Sequence, residues 1–226
     1  MVTMRSRLLQ FLPRAASLIS VAFLVIPAAV PLRAADKPPQ PRTATDYPAV
    51  DVHSKENVAI AAEPFDTPKK CKVFQVDYLK FRFMPVRIIV TNLGDTPISL
   101  KDARIFFISA AGDRIQAAEP EDVERRVRSK DRQGVDIPVG PIKIHTKGKD
   151  SDPKIEKDFD QFEYAALVVE AHTTRAGFLF YDMDGLGNDP LHGAKLVLRE
   201  LRSASGTQLF YFEIPFDKYL DAQKQH

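Results

Sequence analysis

The stretch from Phe83 to Gln116 constrains the fold of this chain more than any other part of the sequence. It contains three short apolar runs, separated by the turn sequences Asn-Leu-Gly-Asp and Ala-Gly-Asp. The first run has alternating branched residues of the kind that line one face of a β-strand: Val86, Ile88 and Val90. Short β-rich runs between turn residues are typical of an antiparallel β-sandwich. The stretch therefore predicts a scaffold, and it contains no recognisable catalytic motif.

The N-terminus has the pattern of a secretory signal. Three arginines precede the uncharged apolar stretch Ala15 to Leu32, and Arg33, Ala34 and Ala35 follow it. A basic segment, an apolar segment and small residues in this order predict export. A cut after either alanine leaves a leucine or an arginine three positions upstream, where small residues are preferred. Residues 1–35 are therefore predicted to be a cleaved signal, with an uncleaved membrane anchor as the alternative.

Charge and cysteine content narrow the function classes. Removing residues 1–35 takes four arginines from the 32 basic residues, which leaves 28 against 30 acidic residues. Such a balance gives no electrostatic reason to expect nucleic-acid binding. The single cysteine, Cys71, excludes an intramolecular disulfide, so a hydrophobic core must stabilise the domain. We predict that Cys71 is a packed thiol and not a nucleophile.

The chain after the leader is predicted to form a linker, one domain and a tail. Residues 36–56 are rich in proline and lack apolar periodicity, which favours an extended linker. The predicted domain covers residues 57–220, and a polar tail covers 221–226. We expect this domain to be mainly β, an Ig-like antiparallel sandwich of about seven strands with one or two short helices.

Local patterns predict the other elements of this domain. The strands outside the opening stretch are expected at Asn57–Ala62, Ala166–Ala171, Arg175–Tyr181, Ala194–Leu201 and Thr207–Ile214. The last two are expected to form a hairpin through a loop that contains Gly206. Helices are predicted to begin at Pro120 and Pro153. The second has an apolar stripe at Ile155, Phe159, Phe162 and Ala166. Residues 128–151 are charged and contain several glycines and prolines, which predicts a long mobile loop.

One loop has residues that suit a metal ion. Between Asp182 and His192 lie closely spaced oxygen ligands of the kind that Ca²⁺ takes: Asp182, Asp184, Asn188 and Asp189. The spacing does not fit an EF-hand, since Gly193 stands where that loop requires glutamate. Aspartate and glycine are also ordinary turn residues. A turn is the favoured interpretation, and calcium binding is the alternative.

Catalytic patterns are weak. Glu170 and His172 are two residues apart, so on a strand both side chains would face the same way and could form a general base with its carboxylate. A polar pair at a strand edge is the commoner explanation. The chain has no G-x-S-x-G, H-E-x-x-H or C-x-x-C motif. We therefore predict a protein without catalytic activity and without a cofactor.

The residues from Asn92 to Asp95 are expected to form a tight turn. Asn92 and Gly94 are predicted to adopt positive φ in a tight connection, with Asp95 accepting hydrogen bonds from backbone amides.

Aromatic side chains concentrate on neighbouring strands, at Phe178, Phe180, Tyr181, Phe210, Tyr211 and Phe212. One face must be core, and any exposed face becomes the candidate patch for a partner. The cations Arg125, Arg126, Arg128, Lys130 and Arg132 are interpreted as a solvated face.

Three short sequences carry a resemblance: Val76 to Leu79, Thr91 to Asp95 and Tyr211 to Pro215. With the segments around them, from Phe74 to Leu220, they resemble a group of exported bacterial proteins, many from acidobacterial genomes. The resemblance implies an Ig-like β-sandwich and export. It supplies no catalytic residue, since that group has no assigned activity.

Together these patterns predict a non-catalytic exported module that binds an envelope protein or a surface polymer. We expect it in the periplasm or outside the cell, or tethered to the inner membrane if the leader is not cleaved. Contact with a membrane is expected only through that leader. The alternative is a calcium-dependent carbohydrate-binding or hydrolytic domain that uses the loop from Asp182 to His192.

Overall fold

A computed structural model describes residues 40–133 and 152–225 of the chain. Within these residues the protein is mainly β. The strands are β1 Val50–His53, β2 Val58–Pro64, β3 Phe83–Asn92, β4 Ile98–Ser99, β5 Arg104–Ile108, β6 Arg114–Gln116, β7 Val168–Val169, β8 Thr174–Asp182, β9 Lys195–Arg199, β10 Arg202–Ser203 and β11 Phe212–Pro215. The α-helices are α1 Pro120–Gln133, α2 Pro153–Phe162 and α3 Asp217–Gln223.

The strands form three antiparallel sheets. The first sheet has the order β1-β2-β3-β8, the second β11-β9-β5-β6, and a small sheet has the order β10-β4-β7. The two four-stranded sheets bury a common core, so the predicted sandwich is confirmed. The first sheet contributes Ile60, Val86, Ile88, Val90 and Tyr181 to that core, and the second contributes Phe107, Leu196, Leu198, Phe212 and Ile214. Eleven strands lie in the described residues where about seven were expected, because β1 falls in the predicted linker and β4 and β10 are pairs of residues too short to leave a periodic pattern.

The first sheet is covered on both faces. All ten residues of β3 are buried, including Arg87, which is 4% exposed and whose guanidinium lies 6.0 Å from the ring centroid of Phe178. A second cluster packs on the face turned away from the sandwich, where Phe178 and Phe180 meet α1 and α2. This explains why the opening stretch of sequence is nearly continuous in apolar residues, as strands buried on both faces are.

The fold begins earlier than predicted. Residues 44–53 were expected to lie in an extended linker, but Ala44 and Tyr47 are buried and β1 pairs with β2 along its whole length. Ala44 also donates its backbone N–H to Thr91 Oγ1 at 2.9 Å. The linker prediction is wrong for these residues, since β1 forms a hairpin with β2 and the side chains of Ala44 and Tyr47 pack in a cluster with residues of β2 and β3.

Both predicted helices are present. Asp152 caps α2 by accepting a hydrogen bond from the Lys154 N–H at 2.9 Å, and Ile155, Phe159 and Phe162 are buried as the stripe predicts. The helix ends at Phe162, so Ala166 is not part of it. Helix α1 continues to Gln133, so the first residues of the predicted mobile loop are helical, and 134–151 lie outside the described residues.

The C-terminal hairpin is confirmed in its pairing and corrected in its bounds. Strands β9 and β11 are antiparallel neighbours with Leu198 opposite Phe212. Residues 207–211, expected to be strand, belong instead to a longer connection that includes β10. Similarly, the strand expected at Ala166–Ala171 is reduced to β7, and helix α3 extends into the predicted polar tail.

The segments just before α1 and just after α2 cover the free edge of β8. Tyr164 donates its N–H to the Phe178 carbonyl at 3.0 Å, and Ala118 donates to the Phe180 carbonyl at 2.7 Å. This approach requires Gly177, since a Cβ at that position would lie 2.4 Å from Tyr164 Cα. Among residues 40–133 and 152–225, no helix has the length and apolar character to cross a membrane. The predicted leader, with its apolar segment Ala15 to Leu32, lies outside the described residues.

Candidate functional site

The second sheet has one face in the core and one face turned away from it, which we call the outer face. Its residues follow from strand alternation: Arg104, Phe106, Ile108, Arg114, Gln116, Lys195, Val197, Arg199, Tyr211 and Glu213. Their neighbours along each strand, such as Phe107, Leu196 and Phe212, are core residues. The outer face is therefore the large sheet surface that packing inside the sandwich does not use.

Strand register arranges the outer face in three rows that cross the strands. The middle row is Gln116, Phe106, Val197 and Glu213. On one side lies a row with Arg114, Ile108 and Lys195, and on the other a row with Arg104, Arg199 and Tyr211. Successive rows are about 7 Å apart, because two residues of a strand rise by that distance. Four cations thus flank a middle row that contains none.

Two of these cations rest on aromatic rings. The Arg114 guanidinium lies 4.9 Å from the ring centroid of Phe106, and that of Arg199 lies 5.5 Å from the ring of Tyr211. Such cation–π contacts orient a guanidinium and leave its N–H groups available to a ligand. Within the described part of the chain, neither arginine forms an ion pair.

The other two cations are partly neutralised. Lys195 Nζ lies 2.9 Å from Glu213 Oε2, and Arg104 Nε lies 3.3 Å from Glu200 Oε1. Both pairs are exposed enough for solvent to screen them, so each contributes little to stability. The outer face consequently has more positive than negative charge.

An exposed aromatic pair stands at the β11 end of the outer face. Phe210 is 65% exposed and Tyr211 40%, and their rings stack with centroids 4.8 Å apart. The Phe210 N–H donates to Glu56 Oε1 at 2.7 Å, while Glu56 Oε2 bonds to His53 Nδ1 at 2.8 Å. These bonds fix the connection that presents the two rings. Large aromatic side chains held in solvent mark an interaction site more often than isolated exposed aliphatic residues do.

A cleft lies at the opposite, β6 end of the outer face. It has a volume of about 330 Å³ and is lined by Arg104, Ile105, Phe106, Gln116 and Ala117. Arginine and amide donors beside an apolar floor suit an oxygen-rich ligand. The outer face thus ends in a cleft on one side and in an aromatic pair on the other.

The structure does not bring the calcium candidates together. Arg126 of α1 binds the Asp182 carboxylate with both terminal nitrogens and lies 3.5 Å from Asp184 Oδ2. Asp182 Oδ1 also accepts the Asp184 N–H at 2.9 Å, as in an ordinary Asx turn. His192 bonds instead to Asp217 at 3.0 Å. Asn188 and Asp189 are exposed, and the described residues contain no cluster of three metal-ligating side chains.

The predicted alignment of Glu170 with His172 is wrong. Strand β7 ends at Val169, and His172 lies in a turn with φ of 56°. Its Nε2 is 2.9 Å from Asp95 Oδ1, and both side chains are exposed. The pair joins two surface turns, and no general base forms with Glu170.

The interpretation of Asn92 and Gly94 also changes. Neither has a positive φ. Asn92 is buried and acts through its side chain, since Nδ2 donates to the Thr96 carbonyl at 2.8 Å and the Val169 carbonyl at 3.1 Å, while Oδ1 accepts from the Gly94 N–H at 3.0 Å. Asn92 therefore connects the end of β3 to its turn and to β7.

Two buried polar groups belong to the helical layer and not to a site. Asp158 has no exposed surface and accepts hydrogen bonds from Gln75 N, Val76 N and the Tyr78 hydroxyl. Burial raises the pKa of Asp158, and these hydrogen bonds oppose that change. Cys71 is packed as predicted and donates its thiol to the Phe65 carbonyl at 3.0 Å, and burial raises its pKa to about 12. A thiol with that pKa is a poor nucleophile.

The sequence pattern points to six aromatic residues and does not indicate which of them are exposed. Phe178 and Phe180 pack against the helices, while Tyr181 and Phe212 are in the sandwich core. Only Phe210 and Tyr211 of the six are exposed. The cation rows were missed, because they depend on register between strands distant in sequence.

Comparison of the chain with protein-family models, with curated proteins and with solved structures found no match. The residues themselves therefore carry the functional argument.

Proposed function

We propose that this protein is an exported Ig-like β-sandwich module without catalytic activity, and that it binds an envelope protein or a surface polymer. The observation that carries the proposal is the exposed stacked pair Phe210 and Tyr211 beside the outer face of the second sheet. Exposing two large rings costs solvation free energy, which binding a partner recovers. Hydrogen bonds to Glu56 hold the connection in place before the partner arrives, which lowers the entropy cost of binding.

The absence of a catalytic role is supported by the geometry of the candidate groups. Asp182 and Asp184 hold Arg126, His172 faces Asp95 on the surface, and Cys71 is buried. Asp182 lines a cleft with Glu119 and Asp122, but its carboxylate is already paired with Arg126.

Export is supported by the arginines before Ala15 to Leu32 and by the resemblance to exported bacterial sandwiches. Mass spectrometry of the chain from fractionated cells tests it. We expect an N-terminus near residue 35 outside the inner membrane, or an intact Met1 in the membrane fraction for a tethered form. An intact chain in the cytosol would contradict export.

Binding at the aromatic pair is tested by hydroxyl-radical footprinting of the full chain, in its own cell envelope and after purification. We expect Phe210 and Tyr211 to be modified several-fold less in the envelope, because a bound partner covers them. Leu167, which is 60% exposed on another surface, is the internal control and should be modified equally in both samples. Equal modification of the aromatic pair in both samples refutes the proposal.

A further inference from the structure

We propose that the outer face binds an acidic polysaccharide, laid across the strands along the middle row with its anionic groups directed to the cation rows on either side. This inference rests on the proposed binding function and names the class of its ligand. It is carried by the two arginines of this face that form no ion pair in the described residues, Arg114 and Arg199. Lys195 and Arg104 are paired with Glu213 and Glu200, and the carboxylates of Asp51 and Glu56 at the β11 edge accept backbone N–H groups of Glu213 and Phe210. The rest of the mature chain has no excess of basic residues, so the positive charge of this face is local.

The spacing of the rows suits a polymer and not an isolated anion. Arg199 and Lys195 are four residues apart on β9, so the two cation rows are about 13 Å apart. Arg114 and Arg199 are held over different rings, Phe106 and Tyr211, which lie in different rows. A chain of acidic sugars passing between them can place successive anionic groups on alternate sides, and each contact releases counterions.

The middle row offers a flat floor for such a chain. Val197 is buried, and the Phe106 ring is partly covered by the Arg114 guanidinium. Gln116 and Glu213 at its two ends can bond to hydroxyl groups. The Phe210 and Tyr211 rings at the β11 end give an apolar surface for one sugar ring, and the cleft at the β6 end receives another.

The same features argue against the other macromolecules. A protein interface buries an apolar centre, whereas the two apolar residues at the centre of this face, Phe106 and Val197, are only 8% and 4% exposed and have little apolar area left for a partner to bury. Single-stranded nucleic acid requires a series of open ring faces on which successive bases stack. Here Phe106 is buried under Arg114, and the open rings are confined to one end.

The test uses the purified full chain and three polymers of similar length: polygalacturonate, neutral dextran and single-stranded DNA. Affinity is measured by titration at several salt concentrations. We expect polygalacturonate to bind at least about tenfold more tightly than dextran or DNA, with an affinity that falls as salt rises. Equal affinity for dextran removes the charge argument, and tighter binding of DNA assigns the face to nucleic acid; either result overturns the proposal.

The double substitution Arg114→Gln and Arg199→Gln locates the site. We expect a loss of at least about tenfold in affinity for polygalacturonate and a salt dependence shallower by about 2 in the log–log slope. The matched control is Lys72→Gln with Lys154→Gln, which removes the same charge from exposed positions on the helical layer. Equal losses in the two double variants would show a general charge effect and overturn the proposal. A melting temperature close to that of the parent chain shows that the variant is folded.

Failure of this inference can be separated from failure of the proposed function. If polygalacturonate does not bind but Phe210 and Tyr211 are still protected in the envelope, the ligand is not an acidic polysaccharide, while the proposed binding function is retained. If neither result is obtained, both proposals fail.

Discussion

The two four-stranded sheets use their residues differently. In the β1-β2-β3-β8 sheet both faces of β3 are buried, and even Arg87 packs against a ring. In the β11-β9-β5-β6 sheet the inner face belongs to the sandwich core, and the outer face has four cations around the buried Phe106 and Val197, with an exposed aromatic pair at one end. Every residue of β3 is buried, so its side chains are not available to contact a partner. The outer face of the second sheet can change its chemistry without disturbing the fold, which makes it the better place for a binding site.

The largest expected effect of this difference is on the free energy of unfolding. It is tested by replacing one aromatic side chain in each region with alanine. Phe178→Ala removes a ring that packs between Phe65, Phe74 and Phe162, and we expect it to lower the free energy of unfolding by about 3 to 5 kcal/mol. Phe210→Ala should change it by less than about 1 kcal/mol, because the ring is largely exposed. Denaturant unfolding measures both. Similar losses in the two variants would show that the exposed ring stabilises the fold as much as the buried ring does.

A second test concerns the buried amide at the end of β3. Asn92→Asp replaces the Nδ2 donor by a carboxylate oxygen facing the Thr96 and Val169 carbonyls, and we expect a loss of about 2 to 3 kcal/mol. Asn188→Asp is the matched control, since Asn188 is exposed and should change stability by less than about 0.5 kcal/mol. Thermal unfolding at neutral pH distinguishes them. A tolerated Asn92→Asp would show that the turn does not depend on these bonds.

A third and smaller effect concerns pH. Burial raises the pKa of Asp158 in the folded chain, so the folded state binds more protons than the unfolded state above about pH 4. The contribution of Asp158 to the free energy of unfolding therefore falls as the pH rises above about 4. Asp158→Asn does not titrate, so the stability of the parent chain relative to the variant should fall as pH rises. A relative stability that rises with pH would mean that the pKa of Asp158 is depressed.

The smallest expected effect is that of calcium. Because Arg126 already occupies the Asp182 carboxylate, millimolar Ca²⁺ should not raise the melting temperature of the purified chain. Arg126→Gln, which frees both Asp182 and Asp184, is the sharper sample. A rise in its melting temperature with Ca²⁺ but not with Mg²⁺ would restore the loop as a calcium site.

The sequence predicts the elements whose structure is determined by residues close together along the chain. The Asp152 cap with Pro153 marks the start of α2, and alternation marks the core face of β3. Both patterns depend on neighbours within a few residues.

Features with distant causes were not predictable. Ala44 and Tyr47 are buried by strands that lie later in the chain, and Asn92 is buried against β7, 77 residues away. The outer face could not be read from sequence for the same reason. Arg104 and Arg199 become neighbours only through the pairing of β5 with β9.

The covering of β8 by the chain near Tyr164 and Ala118 has a consequence for copies of this protein. An uncovered strand at the rim of a β-sheet is a template for pairing with another molecule. Here the carbonyls of Phe178 and Phe180 are already bonded, and the close approach at Gly177 leaves no width for a foreign strand. A second copy of this chain therefore cannot pair with β8 at Phe178 and Phe180, and the fold itself blocks aggregation through that part of the edge.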